Sequence, residues 1–112
     1  MTKDVNDNPL SECLAEKDDS FVLTLPVSLQ GEQATYVADL LLSARGNPVA
    51  VDASAVERID TPCIQVLLSA ARLWREEGVA LELSGESGVF TENLNTLGLT
   101  KAELEVGDAN HA

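Results

Sequence analysis

Few residues in this chain carry side chains that do chemistry, and fewer still stand at useful spacings. Asp52 and Asp60 are two carboxylates near predicted strand ends, Thr61 offers a hydroxyl directly after the second, and Cys63 adds a thiol. The single histidine, His111, stands one residue from the end of the sequence and is expected to be solvent-exposed. A carboxylate pair can serve acid–base catalysis or hold a metal, but either use needs a third ligand or a histidine close by. None accompanies Asp52 and Asp60, so turn or cap roles suit them better, and Ser54 suits a turn bond. The sequence has no Gly-rich phosphate loop, no GxSxG, no HExxH and no convergent His–Asp–Ser set. Gly85-Glu-Ser-Gly88 is too short and too acidic to cradle phosphate. Catalysis needs positioned acids, bases or nucleophiles. The expectation is therefore a protein that is not an enzyme, with no catalytic residue, no cofactor and no metal.

Thr61 is the residue with the most informative setting. It precedes Pro62, and apolar helical spacing begins at Ile64. Threonine at the N-cap with proline at the first helical position is a strong helix start. The hydroxyl would then accept a bond from the amide of Cys63 or Ile64, worth roughly 1 kcal/mol. The same placement exposes a hydroxyl at a helix N-terminus, where a phosphate would meet unpaired amides and the positive end of the dipole. Phosphorylation there would change the surface charge by about −2. Thr61 is thus both an expected cap and a candidate phosphorylation site.

The elements that must position this turn are legible from periodicity. Phe21 to Leu25 alternates as a strand up to Pro26, with Val27 and Leu29 extending it after a kink. Gly31 to Ala44 reads as a helix with Ala34, Val37, Ala38 and Leu41 on one face, ended by Gly46 and Pro48. Val49-Ala50-Val51 reads as a strand buried on both faces, and Val56 to Asp60 continues it through a turn. A second helix runs from Pro62 to about Glu77 and stops at Gly78. Val79 to Leu83 is a third strand, and Ser87 caps a third helix carrying Phe90, Leu94 and Leu97. Strand–helix alternation of this kind implies a mostly parallel or mixed sheet with right-handed crossovers.

The second helix carries more apolar surface than a sheet needs. Ile64, Leu67, Leu68, Ala71 and Trp74 form one stripe, and Cys63, Val66, Ala70 and Leu73 form another beside it. Gln65, Ser69, Arg72 and Glu76 make the polar one. A surface helix needs one apolar stripe about 100° wide. Either the helix is wedged between the sheet and the third helix, or Val66, Ala70 and Leu73 form part of a partner surface. The candidate partner-binding set is Asp60, Thr61, Pro62, Cys63, Val66, Ala70 and Leu73. Trp74 fits the edge of the core better than a binding hot spot.

Composition narrows the partner. The chain has 112 residues and suits a single domain. Nineteen acids against seven bases give a net charge of −12. Such a chain repels phosphate backbones and anionic head groups, so nucleic acid and membrane insertion are poor expectations and a protein partner is the better one. Two isolated cysteines, Cys13 and Cys63, argue for a reducing compartment. With no signal peptide and no long apolar run, cytoplasmic localisation is expected. The expected organisation is a flexible acidic N-terminal tail over residues 1–20, a folded domain over 21–100, and a C-terminal tail over 101–112 with a short edge strand at Leu104 to Val106.

The stretch VAVDASAVERIDTPCIQVLLSAARLWREEGVALELSG resembles the STAS domain, the fold of bacterial anti-sigma-factor antagonists. SGVFTENLNTLGL is similar to the family's last helix, and LTLPVSLQGEQA to its earlier strand-and-turn segment. The resemblance covers about residues 21–100 and implies an α/β fold, with a mixed sheet of about four strands and helices packed mainly on one face. It also implies a regulatory interaction module whose Ser or Thr after the second Asp is a target of a serine kinase that is itself an anti-sigma factor. By position that residue is Thr61. The usual Ser-Ser-Gly or Ser-Thr-Gly is Thr-Pro-Cys here, which stiffens the loop and removes the glycine. In look the chain is nearest to the compact STAS proteins of alphaproteobacterial chemotaxis and response-regulator clusters. The alternative is a constitutive STAS subunit of a phospholipid-transport ABC ATPase, a branch that also carries Asp-Thr at this turn.

Overall fold

The computed structural model describes residues 8–107. Expectations that fall on residues 1–7 and 108–112, His111 among them, lie outside the described residues. The elements in chain order are β1 (Leu14–Lys17), β2 (Ser20–Thr24), β3 (Ser28–Leu29), α1 (Gln33–Ser43), β4 (Val49–Ala53), β5 (Arg58–Ile59), α2 (Thr61–Glu77), β6 (Leu81–Glu86) and α3 (Gly88–Thr96). Single 3₁₀ turns lie at Ser11–Cys13 and Lys101–Leu104.

The main sheet has the order β1-β2-β4-β6, with β1 antiparallel to β2 and the other pairs parallel. β3 and β5 form a separate parallel pair. Register places Leu23, Val51 and Leu83 side by side, and Phe21, Val49 and Leu81 in the next row. This face holds the core with Val37, Leu40 and Leu41 of α1 and Ile64, Leu67, Ala71 and Trp74 of α2. The opposite face carries Val22, Ala50 and Glu82 in register and is partly open. The architecture is the expected α/β one: a mixed four-strand sheet with helices mainly on one face.

Four expectations are corrected. β4 is not buried on both faces: Val49, Val51 and Ala53 are buried while Ala50 and Asp52 are half-buried. Its apolar run survives on the open face because alanine exposes only one methyl there. The buried face of α1 is rotated from the expected one and consists of Val37, Leu40 and Leu41, with Ala34 and Ala38 half-buried. α2 is flanked by α1 and the Lys101–Leu104 turn, whereas α3 packs by β5, so α2 is not wedged against the third helix.

The last correction concerns the tails. Residues 14–20 belong to the sheet through a β1–β2 hairpin. Its two turn residues, Asp18 and Asp19, have φ of 48° and 67°, the left-handed pair that a tight hairpin of this hand requires and that Asp tolerates. Before it, buried Asn8 donates from Nδ2 to the Tyr36 carbonyl at 2.8 Å and accepts the Leu10 amide at 2.8 Å. At the other end Leu104 is buried, Val106 bridges Leu81, and the Glu105 carboxylate accepts the Leu83 amide at 3.0 Å. These contacts cover the edge of β6, which would otherwise present unpaired amides.

Candidate functional site

The loop into α2 is built by long-range backbone pairing. The amides of Glu57 and Arg58 donate to the Val27 carbonyl at 2.8 and 3.1 Å, and the Asp60 amide donates to Leu29 at 3.2 Å. This brings Gly31, with φ of +61°, beside the start of α2. Asp60 then joins the two segments. One carboxylate oxygen accepts the Gly31 amide at 2.9 Å and the other accepts the Cys63 amide at 3.2 Å. The Gly31 amide first, and the bond with Cys63 second, hold the Asp60 carboxyl below its usual range.

The helix cap is therefore Asp60, not the expected Thr61. Thr61 is the first helical residue and Pro62 the second, both exposed. Asp and Thr are both good caps. Asp60 takes the position because one of its two oxygens can serve Gly31 while the other serves Cys63. The Thr61 hydroxyl is left unspent on capping, at the positive end of a helix of 17 residues.

Cys63 points inward and is 1% exposed. Burial first, and then the Asp60 carboxylate beside it, push its thiol up to about 12. It packs within the hydrophobic core and is not part of the exposed surface of the turn. Asp52 is occupied on its own loop, where its Oδ1 accepts the Ser54 amide at 2.9 Å. The bonds with Ser54 hold its carboxyl low. The chain is tight there: a Cβ on Gly85 would stand 2.8 Å from that same oxygen. Among the described residues no group of three or more His, Cys, Asp or Glu side chains is placed to hold a metal ion. No helix among them is long and apolar enough to cross a membrane.

Beside the turn, α1 and α2 enclose an open groove of about 400 Å³. Pro62, Val66, Ala70 and Leu73 line its α2 wall, so four of the sequence candidates share one surface. The α1 wall, made by Ala38, Leu41 and Leu42, had no counterpart among them. Leu42 is 56% exposed and stands at the lip. It follows buried Leu40 and Leu41 in a run of three leucines, and the turn of the helix carries the third off the core face. Trp74 closes the floor, buried, with Nε1 donating to the Asn47 carbonyl at 2.8 Å. The Arg45–Glu77 ion pair, at 2.8 Å, ties the far ends of the two helices together.

The site thus offers an exposed hydroxyl and proline at a helix N-terminus, a clamped carboxylate behind them, and an apolar trough running from them along the helix. Comparison with known proteins gives one family: the model described as "Mlab, STAS domain" matches residues 13–106. No curated protein and no solved structure gives a match.

Proposed function

The chain belongs to the STAS family, and from that membership we propose that it is a non-enzymatic regulatory module of bacterial signalling that binds a protein partner through Thr61 and the adjoining α1–α2 groove. Family membership makes it a regulatory or interaction domain. The proposed site rests on a single observation: the exposed Thr61–Pro62 step opens directly onto an apolar groove lined by Pro62, Val66, Ala70 and Leu73. The partner class is a serine kinase of the anti-sigma-factor kind or another signalling protein, of the chemotaxis-associated type that the sequence resembles.

Thr61 is suited to switch that contact. The Asp60 carboxylate, held low and therefore charged at neutral pH, stands next to it in the chain. A phosphate on Thr61 would gain from the helix N-terminus and repel Asp60. The bonds that Asp60 accepts from the Gly31 and Cys63 amides would weaken, and the shape and charge of the turn would change together. Purified partner should bind Thr61→Ala as it binds the unmodified protein and should release Thr61→Glu. Equal binding by both variants removes the switch.

A second reading, a constitutive accessory subunit of a phospholipid-transport ABC ATPase, is favoured by the stiffness of the same turn. Pro62 sits in the first turn of α2 and Asp60 clamps both flanks. A fixed surface of this kind suits a permanent contact as well as a regulated one. In that case Thr61 is a contact, and Thr61→Ala weakens binding too.

A further inference from the structure

We infer that the α1–α2 groove receives an amphipathic helix of the partner whose apolar stripe is flanked by lysines or arginines. This rests on the interaction reading above and adds the chemistry of the occupant. The groove follows α2 from Pro62 to Leu73, about 16 Å at the rise of an α-helix. That is three turns, long for a compact small molecule and suited to a helix laid along two others. Its α2 wall repeats at helical spacing through Pro62, Val66, Ser69 and Leu73, and exposed Leu42 forms the opposite lip. An apolar trough with such a lip matches the i, i+3, i+4, i+7 anchors of a helix-in-groove contact.

The charge of the chain selects the flanks. Glu32 precedes α1, where its carboxylate accepts the Tyr36 hydroxyl at 3.3 Å, Asp39 lies on α1, and Glu76 lies on α2 one turn beyond Leu73. The base at this end, Arg45, is held by Glu77 at 2.8 Å. Arg72 and Arg75 line a different depression, with Leu68 and Leu99. The groove itself is lined by no charged side chain, and the chain around it carries −12, which favours basic flanks on an occupant over acidic ones. A second copy of this chain is a poor occupant, because each carries −12 and the pair would repel.

Trp74 is the only tryptophan and closes the groove floor, so its fluorescence reports occupancy. The probe is an 18-residue synthetic helix with leucines at i, i+3, i+4 and i+7 flanked by lysines, beside the same peptide with glutamates for lysines. The lysine peptide should give a saturable change in Trp74 emission and the glutamate peptide none. Leu42→Asp should weaken the lysine peptide at least tenfold, while Val89→Asp, on exposed surface of α3, should not. Leu42→Asp adds negative charge, so plain charge attraction would be kept or strengthened by it; loss of binding identifies the groove. Binding that survives Leu42→Asp, equal binding of both peptides, or no binding of either overturns the inference. A dimer in sedimentation that Leu42→Asp dissolves would replace it with self-association. A natural partner released by Thr61→Glu but unaffected by Leu42→Asp would leave the interaction reading standing and overturn only the helix-in-groove inference.

Discussion

The carboxylate of Asp60 accepts the backbone amide of Gly31 at 2.9 Å, across 29 positions of sequence. That bond, with the one to Cys63, makes Asp60 the residue on which the turn depends. Asp60→Ala should lower unfolding free energy by about 2 kcal/mol, because a helix cap is lost and two amides lose their acceptor. Thr61→Ala should stay within about 0.5 kcal/mol of the parent, since its exposed side chain caps nothing. Urea unfolding of the two variants checks this. The reverse order would restore Thr61 as the cap.

Acid should unfold the protein partly through the same residue. Asp60 and Asp52 both have carboxyls held below the ordinary value of 3.8 by hydrogen bonds made in the folded state. A carboxyl depressed on folding stabilises above its unfolded value, and that contribution is lost as pH falls through the lowered folded value. Stability measured from neutral pH downward should therefore fall below about pH 4. The fall should be shallower in Asp60→Asn, whose side chain does not titrate. An unchanged acid slope in that variant would contradict the hydrogen bonds as the cause.

The β6 strand passes so close to Asp52 that Gly85 leaves no room for a Cβ without displacing the Asp52 carboxylate. Gly85→Ala should cost about 1 kcal/mol by breaking the bond from Ser54. In an Asp52→Ala background the obstacle is gone, and Gly85→Ala should become neutral or mildly stabilising, because glycine is an unfavourable strand residue. A double-mutant cycle reads this coupling directly. Additive costs would mean that the close approach is not what makes glycine the fitting residue.

The two cysteines should differ in reactivity. Cys63 is buried with its thiol pushed up to about 12, whereas Cys13 is only half-buried, although burial and Glu12 raise it too. A thiol-directed reagent at pH 8 should label Cys13 first in the native protein and reach Cys63 only in denaturant, since the thiolate is the reacting form. Fast native labelling of Cys63 would show that the start of α2 opens readily.

What the sequence made legible follows the range of the forces involved. The apolar spacing of α2 from Ile64 to Trp74, the stop at Gly78 and the cap at Ser87 are local, and each stands where its residues place it. The Asp60–Thr61 choice was not local. Both residues make good caps, and only the arrival of Gly31 decides between them. Leu14–Lys17 has no apolar alternation of its own, and it is a strand because β2 pairs with it, although the Asp18-Asp19 pair could have announced the hairpin. Val66 and Leu73 stood out as surplus apolar surface on α2. That they face a groove depended on where α1 lies, and a single helix pattern does not carry that information.

The most direct measurement is the affinity of the purified natural partner for the parent protein, Thr61→Ala and Thr61→Glu, each verified as folded. A regulated site at the start of α2 predicts that Thr61→Ala binds like the parent and that Thr61→Glu binds at least tenfold more weakly. If both variants bind as the parent does, Thr61 takes no part in recognition and a regulated site at the start of α2 is contradicted.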